Sequence, residues 1–266
     1  MVTLTIVIVS YNTRDDLVRC LESLHAAPPA TTHEIVVVDN GSADGSADAV
    51  RRWPHVRLIE SGGNVGFARA NNLGIRATTS VNVLVLNSDT VVPAGAIDRL
   101  LAELDANPDV AVVGPRIVDG LGRAELSFGR MMTPLNEFRQ KRLGRGPVDE
   151  LTRTRGYPDW VSAACLLVRR ADAEAVGLFD ERYFMYTEDV DFCAAIRARG
   201  KKVLFAPEIE IVHLRGRSAA TAPRETNAAY RRSQIAFYEK HHPLWAPWLR
   251  LYLWLRGVRG STGSGG

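Results

Sequence analysis

The sequence predicts an α/β protein with a mostly parallel central sheet flanked by helices. Runs of Val and Ile alternate with amphipathic helical segments through the first 106 residues, and a polar turn follows several of these runs. A strand–helix–strand succession of this kind produces parallel strands with right-handed crossovers. The chain has 266 residues, 46% of them hydrophobic, which is enough for one large domain with a sizeable core.

The first half of the chain contains four predicted strands. Their β-branched composition is typical of strands buried on both faces. The helix after the first strand is capped by Asn12 or Thr13 and carries Leu17, Leu21 and Leu24 on one stripe. The predicted strands cover residues 5–9, 34–38, 56–59 and 82–86, and further helices cover residues 48–52, 66–78 and 93–106.

The second half is less regular. Residues 119–159 are rich in Arg and Gly, and we expect a long, partly mobile insertion there. After it, the sequence predicts strands over residues 160–169 and 202–205 and helices over residues 189–199 and 224–241. The terminal STGSGG, residues 261–266, has the composition of a linker.

Composition excludes several classes of protein. Lys plus Arg exceeds Asp plus Glu by only 3, so the chain is no polycation and we expect no nucleic-acid partner. The three cysteines lack metal-ligand spacing, which favours a reducing, cytoplasmic setting. The first residues show no secretory signal.

Polar residues follow three of the predicted strands. They are Ser10-Tyr11-Asn12, Asp39-Asn40 and Asn87-Ser88-Asp89. The carboxyl ends of parallel strands lie at one edge of a sheet, where ligands bind. The first strand is not followed by G-x-G-x-x-G, which argues against a dehydrogenase, and the absence of G-x-x-x-x-G-K-[ST] excludes a P-loop. One such end is unremarkable, but three at one edge favour a ligand site over the alternative of ordinary turns and helix caps.

A second polar feature is the stretch YFMYTEDVDF, which crowds Glu188, Asp189 and Asp191 after a group of aromatic residues. Nearby like charges and apolar neighbours raise the pKa of a carboxyl group, and such a group suits general base catalysis. In the alternative interpretation all three acids simply stabilise a helix N-terminus. Asp191 could cap that helix or pair with Arg197.

Five segments, TIVIVSYN, EIVVVDNGSADGS, GGNVGFARANNLG, VLVLNSD and YFMYTEDVDF, occur in an order and spacing that resemble the inverting family 2 glycosyltransferases. The resemblance covers about residues 3–215 and is nearest to the rhamnosyltransferase-like branch. It implies a GT-A fold with a Rossmann-like sheet, a nucleotide-sugar half over residues 1–115 and an acceptor half over residues 116–215. A helical C-terminal appendage over residues 216–260 would follow.

The resemblance also implies a set of residues that bind the nucleotide sugar. Asp39 would accept a hydrogen bond from the base, Gly66 would permit close approach of the backbone, and Arg69 would lie near the diphosphate. The full set is Ser10, Tyr11, Asn12, Asp39, Asn40, Gly66, Arg69, Asn87 and Ser88.

Residues 87–89 occupy the D-x-D position of the family, in which Asp89 would bind Mg²⁺ or Mn²⁺ on the sugar diphosphate. A hard cation stabilises the charge of a leaving diphosphate, and carboxylate oxygens suit it. Asn87 replaces the first Asp of this pattern, so metal affinity could be lower. His213 matches a metal-binding position of relatives, although a lone His is more often structural.

In the acceptor half, Asp189 matches the general base of the family, with Glu188 as the neighbouring alternative. Trp160 is a candidate for the acceptor site, and core packing is an equally good explanation for it. The implied function is inverting transfer of rhamnose from a dTDP donor, or of another hexose from a UDP donor. The acceptor would be a glycan or a polyprenyl-diphosphate-linked glycan of the cell envelope. A catalytically weak nucleotide-sugar-binding protein and a nucleotidyltransferase are the alternatives.

The C-terminal segment HHPLWAPWLRLYLWLRGVRG combines aromatic and basic residues. Between residues 215 and 259 there are nine Lys or Arg residues and two acidic residues. The apolar run is too short to span a bilayer, but it suits a helix lying in the membrane interface. We therefore expect peripheral association with the cytoplasmic face of the membrane, with packing on the catalytic domain as the alternative.

Overall fold

The computed structural model describes residues 2–141, 145–214 and 223–255. The strands are β1 Leu4–Ser10, β2 His33–Asp39, β3 Val56–Glu60, β4 Asn82–Asn87, β5 Thr90–Val91, β6 Val110–Val118, β7 Ala124–Glu125, β8 Phe128–Gly129, β9 Trp160–Val161, β10 Cys165–Arg169 and β11 Lys202–His213. The helices are α1 Arg14–Ala26, α2 Ser46–Val50, α3 Phe67–Arg76, α4 Ala96–Ala106, α5 Pro134–Lys141, α6 Arg145–Leu151, α7 Arg170–Ala175, α8 Glu188–Ala198, α9 Pro223–His241 and α10 Ala246–Leu255.

A mixed sheet in the order β3-β2-β1-β4-β10-β6-β11-β5, with β7 beside β6, forms the centre of the described molecule. In its first half β1 is parallel to β2 and β4, and β2 is parallel to β3, which confirms the predicted βαβ succession. Ser10 lies opposite Asp39, and Val9 lies opposite Asn87. The three polar strand ends therefore lie side by side at one edge.

The second half of the sheet mixes directions. The strand β10 runs antiparallel to both β4 and β6, whereas β6 and β11 are parallel. The long strand β11 continues past a bulge between Ala206 and Glu210 and ends antiparallel to β5. This last pairing brings the end of β11 back to the polar edge.

Two apolar layers cover the sheet because successive residues of each strand face opposite sides. In β1, Ile6 and Ile8 pack with residues of α1 and α4, whereas Val7 packs with residues of α3 and α8. A third cluster joins α9 to the domain and contains Met132, Tyr183, Val190, Phe237, Tyr238 and Ala246. The helix α9 is thus docked on the domain. Residues 215–222 and 256–260 of the expected appendage, and the linker 261–266, lie outside the described residues.

Several elements differ from expectation. The helix predicted from Pro93 begins at Ala96, after Gly95 in the left-handed conformation at φ 72°. The strand predicted over residues 160–169 is split into β9 and β10. The segment 119–159 contains β7, β8, α5 and α6 rather than one long insertion. The strand predicted over residues 202–205 extends to His213.

Candidate active site

Hydrogen bonds join the turn after β1, residues 10–13, to the turn after β2, residues 39–43. We call the surface that these two turns form the donor floor. The Asn40 N–H donates to the Ser10 carbonyl at 2.8 Å. Asn12 adopts a left-handed conformation at φ 53°, and its side-chain oxygen accepts the Ala43 N–H at 2.8 Å. The Asn12 N–H donates to the Ser42 hydroxyl at 3.0 Å. Tyr11, between them, is 42% exposed, so its ring is accessible from solvent.

Asp39 is buried at the centre of this floor. One carboxylate oxygen accepts the Ser42 N–H at 3.1 Å. The other, Oδ1, is buried and has no partner within the described ranges. An unsatisfied buried acceptor costs about 1–3 kcal/mol, so this oxygen is suited to receive a donor from a ligand.

The Asn40 side chain mainly holds the loop at residues 61–66 in place through hydrogen bonds. Its amide donates to the Asn64 side-chain oxygen at 3.0 Å, and its oxygen accepts the Val65 N–H at 2.9 Å. Gly41 permits this packing, because a Cβ there would lie 2.7 Å from Gly63. Asn40 was predicted to bind the nucleotide sugar, and the structure shows that it also holds this loop in place.

Gly66 connects the donor-side loop to the acidic stretch. Its φ is 88°, and an added Cβ would lie 2.6 Å from the Phe184 carbonyl oxygen. The next N–H, of Phe67, donates to that same oxygen at 2.7 Å. Arg69 lies one turn further along α3, is largely exposed, and is 3.9 Å from Glu181. Glycine at position 66 is therefore required for the two halves of the site to meet.

The end of β4 is tied to the end of β1 by hydroxyl groups. The Thr13 hydroxyl bonds both the Ser10 hydroxyl at 3.1 Å and the Ser88 hydroxyl at 2.9 Å. Beyond Ser88, the Asp89 carbonyl accepts the Leu214 N–H at 2.7 Å. Together with the β5–β11 pairing, this bond places Asp89 beside His213.

The Asp89 carboxylate lies 3.0 Å from the Nε2 atom of His213, and the Asn87 amide lies 3.3 Å from the same nitrogen. The other ring nitrogen, Nδ1, faces the Glu125 carboxylate at 3.3 Å. Burial alone would lower the His213 pKa, but hydrogen bonds to Asp89 and Glu125 outweigh it and raise the pKa to about 9. The cluster thus stabilises positive charge.

These residues fit a divalent cation. A carboxylate oxygen and an imidazole nitrogen converge from different strands, and both side chains are only partly exposed. Mn²⁺ accepts both ligand types, and Mg²⁺ accepts the carboxylate. No group of three or more His, Cys, Asp or Glu side chains within residues 2–141, 145–214 and 223–255 forms a complete metal site. A cation here would therefore take its remaining ligands from a substrate and water.

The acidic stretch forms a strained turn that we call the acid turn, residues 184–191. Tyr186 and Thr187 both have positive φ, at 70° and 66°, and neither is glycine. Each such conformation costs about 1–3 kcal/mol and persists only where the surroundings impose it. The helix α8 begins immediately afterwards, with Glu188, Asp189 and Asp191 in its first turn.

Glu188 and Asp189 occupy different environments within the acid turn. Glu188 is 5% exposed, and its Oε2 atom has no partner among the described residues. Asp189 is half-buried and accepts N–H groups of Val190 at 2.8 Å and Ala163 at 3.2 Å. Burial raises the pKa of both groups, and the charge of Asp189 raises that of Glu188 further. Simple capping of a helix does not explain a buried carboxylate oxygen without a donor.

Asp191 does not pair with Arg197, contrary to one expectation. Its side chain is buried and contacts the Lys240 ammonium at 2.8 Å and the His241 ring at 2.6 Å, both on α9. The Tyr183 hydroxyl donates to it at 3.2 Å. Arg197 instead pairs with Asp159 at 2.8 Å. Asp191 therefore joins the acid turn to the C-terminal helix.

Trp160 is packed between the second and third apolar clusters, and its indole N–H donates to the Arg130 carbonyl at 3.0 Å. This side chain therefore contributes to the packing of the core, and its role in binding the acceptor substrate stays a prediction. Glu125, which orients His213, was missed by sequence reasoning. It lies in an irregular segment, and only its strand pairing with β6 places it at the site.

The helix α10 packs on the domain along one side only. Ala246 and Leu253 are buried, whereas Leu244, Trp245, Trp248 and Trp254 are more than half exposed. No described helix combines the length and the apolar character needed to cross a bilayer.

The mixed central sheet, covered by helices and ending in polar turns at the carboxyl ends of β1, β2 and β4, has the GT-A fold. The family profile "Glycosyl transferase family 2" matches residues 5–174. The chain belongs to this family and is a glycosyltransferase.

Two curated relatives and one solved structure place the chain within this class. It is 33% identical to the N-acetylglucosaminyl-diphospho-decaprenol L-rhamnosyltransferase of Mycobacterium tuberculosis, over 96% of this chain and 89% of that protein. It is 27% identical to the low-salt glycan biosynthesis hexosyltransferase Agl10 of Haloferax volcanii, over 79% and 66% of the two chains. The mannosyltransferase PcManGT of Pyrobaculum calidifontis, solved with GDP-Man and Mn²⁺, superimposes with a TM-score of 0.64 at 20% identity, over 95% of this chain and 69% of that one.

Proposed function

We propose that this glycosyltransferase transfers rhamnose, with inversion, from dTDP-rhamnose to a hydroxyl of a polyprenyl-diphosphate-linked glycan in cell-envelope polysaccharide synthesis. The observation that carries the proposal is the 33% identity to the mycobacterial rhamnosyltransferase, which extends over nearly the whole of both chains. A UDP-hexose donor is the second candidate, and the likeness to the Haloferax hexosyltransferase favours it.

The unpartnered Asp39 oxygen supports a pyrimidine nucleotide. Thymine and uracil both carry a ring N–H, which a buried carboxylate oxygen accepts well. The floor made by Ser10, Tyr11 and Asn12 would hold the base and ribose, and Asn87 and Ser88 would lie toward the sugar diphosphate. Since thymine and uracil share this N–H, Asp39 would accept from either base, and other contacts would have to decide between dTDP and UDP.

Asp89 and His213 would hold Mg²⁺ or Mn²⁺ on the diphosphate of the donor. When bound, the cation neutralises the charge that develops on the departing nucleoside diphosphate. Arg69 is an additional candidate for contact with the diphosphate, and it would have to exchange Glu181 for that anion.

Asp189 would act as the general base. It takes the proton of the acceptor hydroxyl as that oxygen forms a bond to the anomeric carbon, while the bond from this carbon to the diphosphate oxygen breaks. Attack from the face opposite the leaving group inverts the anomeric configuration. Asp189 is more exposed than Glu188 and is oriented by two N–H donors, whereas Glu188 is enclosed. Glu188 is the alternative base.

The helix α10 would bring the enzyme to the cytoplasmic face of the membrane, where a polyprenyl-linked acceptor is presented. Its exposed tryptophans and neighbouring basic residues suit an interfacial position. Flotation with anionic liposomes tests this step. We expect the intact chain to float, and a chain cut after His242 to stay in solution. A Trp248→Ser variant should float less well than an Ala246→Ser variant, and equal recovery of the intact and cut chains would contradict the idea.

Incubation with labelled donors tests the transfer reaction itself. We expect dTDP-rhamnose, with Mg²⁺ or Mn²⁺ and an N-acetylglucosaminyl-diphosphoryl-polyprenol acceptor, to give a disaccharide product whose anomer is assigned by NMR. Transfer from a UDP-hexose alone would select the second donor. Donor binding without transfer to any acceptor would instead identify a binding protein, and release of pyrophosphate from a nucleoside triphosphate would identify a nucleotidyltransferase.

A further inference from the structure

The acid turn needs restraint from outside, because its two residues with positive φ are not glycines. On the donor side it is held by one backbone hydrogen bond, from the Phe67 N–H to the Phe184 carbonyl. Elsewhere it receives hydrogen bonds from the Ala163 N–H, to Asp189, and from the Tyr183 hydroxyl, to Asp191. Four further contacts come from α9. This helix lies outside the segment matched by the family profile, which ends at residue 174.

Two contacts of α9 fall on the strained part of the turn. The Ser233 hydroxyl donates to the Met185 carbonyl at 2.8 Å, directly before the two residues with positive φ. The ring of Tyr230 meets the ring of Tyr186 edge-on, with 5.9 Å between centroids. Ser233 is buried, so its hydrogen bond is shielded from water.

Two further contacts fall on Asp191, at the end of the turn. Its carboxylate is 3% exposed and binds both Lys240 and His241. The Asp191 N–H donates to the Thr187 carbonyl at 2.9 Å, across the residues Glu188 and Asp189. Whatever fixes Asp191 therefore fixes the first turn of α8, which carries both candidate bases.

The apolar contacts between α9 and the domain attach the helix but do not by themselves fix the position of the acid turn. Phe237 and Tyr238 pack on Tyr183 and Val190 and attach the helix. Apolar packing has little directional preference, whereas a buried carboxylate bonded to an ammonium group and an imidazole nitrogen fixes a position closely. Removal of the ammonium group leaves a buried charge that is poorly compensated.

We propose that α9 is a positioning element for the reaction: Lys240 and His241, acting through Asp191, and Ser233, acting through Met185, hold Asp189 and Glu188 in their reactive geometry. Asp191, Lys240, His241 and Ser233 are positioning residues and do not touch the substrate. The proposal deepens the proposed function and rests on it, since it takes the carboxylates of the acid turn as the base.

The test compares Lys240→Met and Asp191→Asn with Arg232→Met, a substitution of an exposed basic residue on the same helix. We expect kcat to fall on the order of 10–100-fold in the first two variants, because small displacements of a reacting group have effects of this size. The dissociation constant of the nucleotide-sugar donor should stay within about twofold, because no hydrogen bond or ion pair between described residues joins α9 to the donor floor. Arg232→Met should match the wild type, and Lys240→Arg should recover part of the lost kcat.

The double variant Asp191→Asn/Lys240→Met should be no slower than the worse single variant, because both break the same contact. Hydrogen exchange adds a readout that needs no substrate. Amides of residues 184–191 should exchange faster in Lys240→Met, and amides of β1 should not. Unchanged exchange and unchanged kcat in both single variants would overturn the proposal, as would a loss of donor binding equal to the loss of turnover.

Failure of the positioning role can be distinguished from failure of the proposed function. If Asp189→Asn abolishes transfer while Lys240→Met retains full kcat, α9 has no positioning role and the base assignment stands. If no donor is turned over by the wild type, the exchange of residues 184–191 still decides whether α9 restrains the turn.

Discussion

Two groups of carboxylates lie at the same end of the sheet and differ in how their charge is compensated. Asp89 and Glu125 flank His213, which lies 3.0 Å from the first carboxylate and 3.3 Å from the second. We call these two carboxylates the compensated group, because they share a cationic partner. Glu188 and Asp189, the uncompensated group, have no ion pair among the described residues, and Lys240 and His241 pair with Asp191 instead. The first group lies on strands, and the second lies on a strained turn before a helix.

This difference shows how the same side-chain chemistry acquires two functions. Compensated carboxylates with an imidazole can exchange a proton for a metal ion. Carboxylates that are buried without a cation have raised pKa values and gain by accepting a proton. We infer that the presence of a paired cation, rather than the number of acids, separates the proposed metal site from the proposed base.

The largest effect is expected from Asp189→Asn, which removes the proposed general base. Loss of a general base typically lowers the rate about 10²–10⁴-fold, and the donor dissociation constant should not change. Turnover of the labelled donor and calorimetric donor binding measure the two quantities. Glu188→Gln is the matched control and should keep most of the activity. If Glu188→Gln is inactive and Asp189→Asn is active, Glu188 is the base.

A smaller effect is expected from Asp89→Ala, which removes a carboxylate from the compensated group. Donor affinity in the presence of Mn²⁺ should fall about 10–100-fold, whereas affinity in the presence of chelator should be equally weak for the variant and the wild type. Asp105→Ala, at an exposed position on α4, is the control. Full activity of the wild type in chelator would contradict the metal role of Asp89.

Most strands of the sheet could be predicted from the local sequence, but β6 could not. The strands β1, β2 and β4 were predicted because continuous Val and Ile runs have few alternatives in a buried sheet. The strand β6, which is buried along its whole length, was missed because Gly114, Pro115 and Arg116 interrupt its apolar run. The structure explains them: Val161 fills the space above Gly114, and Arg116 binds Asp149 and Glu210.

The candidate site divides in the same way. Motif residues such as Asp39, Asp89 and Asp189 have local signals in the sequence, but their partners do not. Asp191 was matched with Arg197 because the two are close in sequence, yet residues six apart on a helix do not face each other. Its actual partner Lys240 is 49 residues away, and only the docking of α9 brings the two together.

Glu125→Gln tests whether the compensated group extends to the residue that sequence reasoning missed. The carboxylate orients His213 through Nδ1, and loss of such an outer partner typically costs about 10–100-fold in metal affinity. We expect the lower end of this range, because Asp89 remains in place. Mn²⁺ binding followed by electron paramagnetic resonance measures it without any turnover. Glu174→Gln, exposed on α7, should bind Mn²⁺ like the wild type, and equal affinity in Glu125→Gln would remove Glu125 from the site.

The smallest effect concerns the stability of the uncompensated group. The pKa of Glu188 is raised in the folded protein above its ordinary value of 4.5. As pH rises above that ordinary value, the unfolded chain loses its proton more readily than the folded chain, so stability falls with rising pH until the folded pKa is passed. Gln cannot ionise, and Glu188→Gln should therefore melt a few degrees higher than the wild type at pH 8, at about 2–4 °C per kcal/mol. The difference in melting temperature should narrow toward pH 4, where both the folded and the unfolded wild type hold the proton.

Glu22→Gln, on the exposed face of α1, is the control and should show no such dependence on pH. If Glu188→Gln lowers the melting temperature at pH 8, a cation or donor compensates this carboxylate after all, and the contrast between the two groups is wrong.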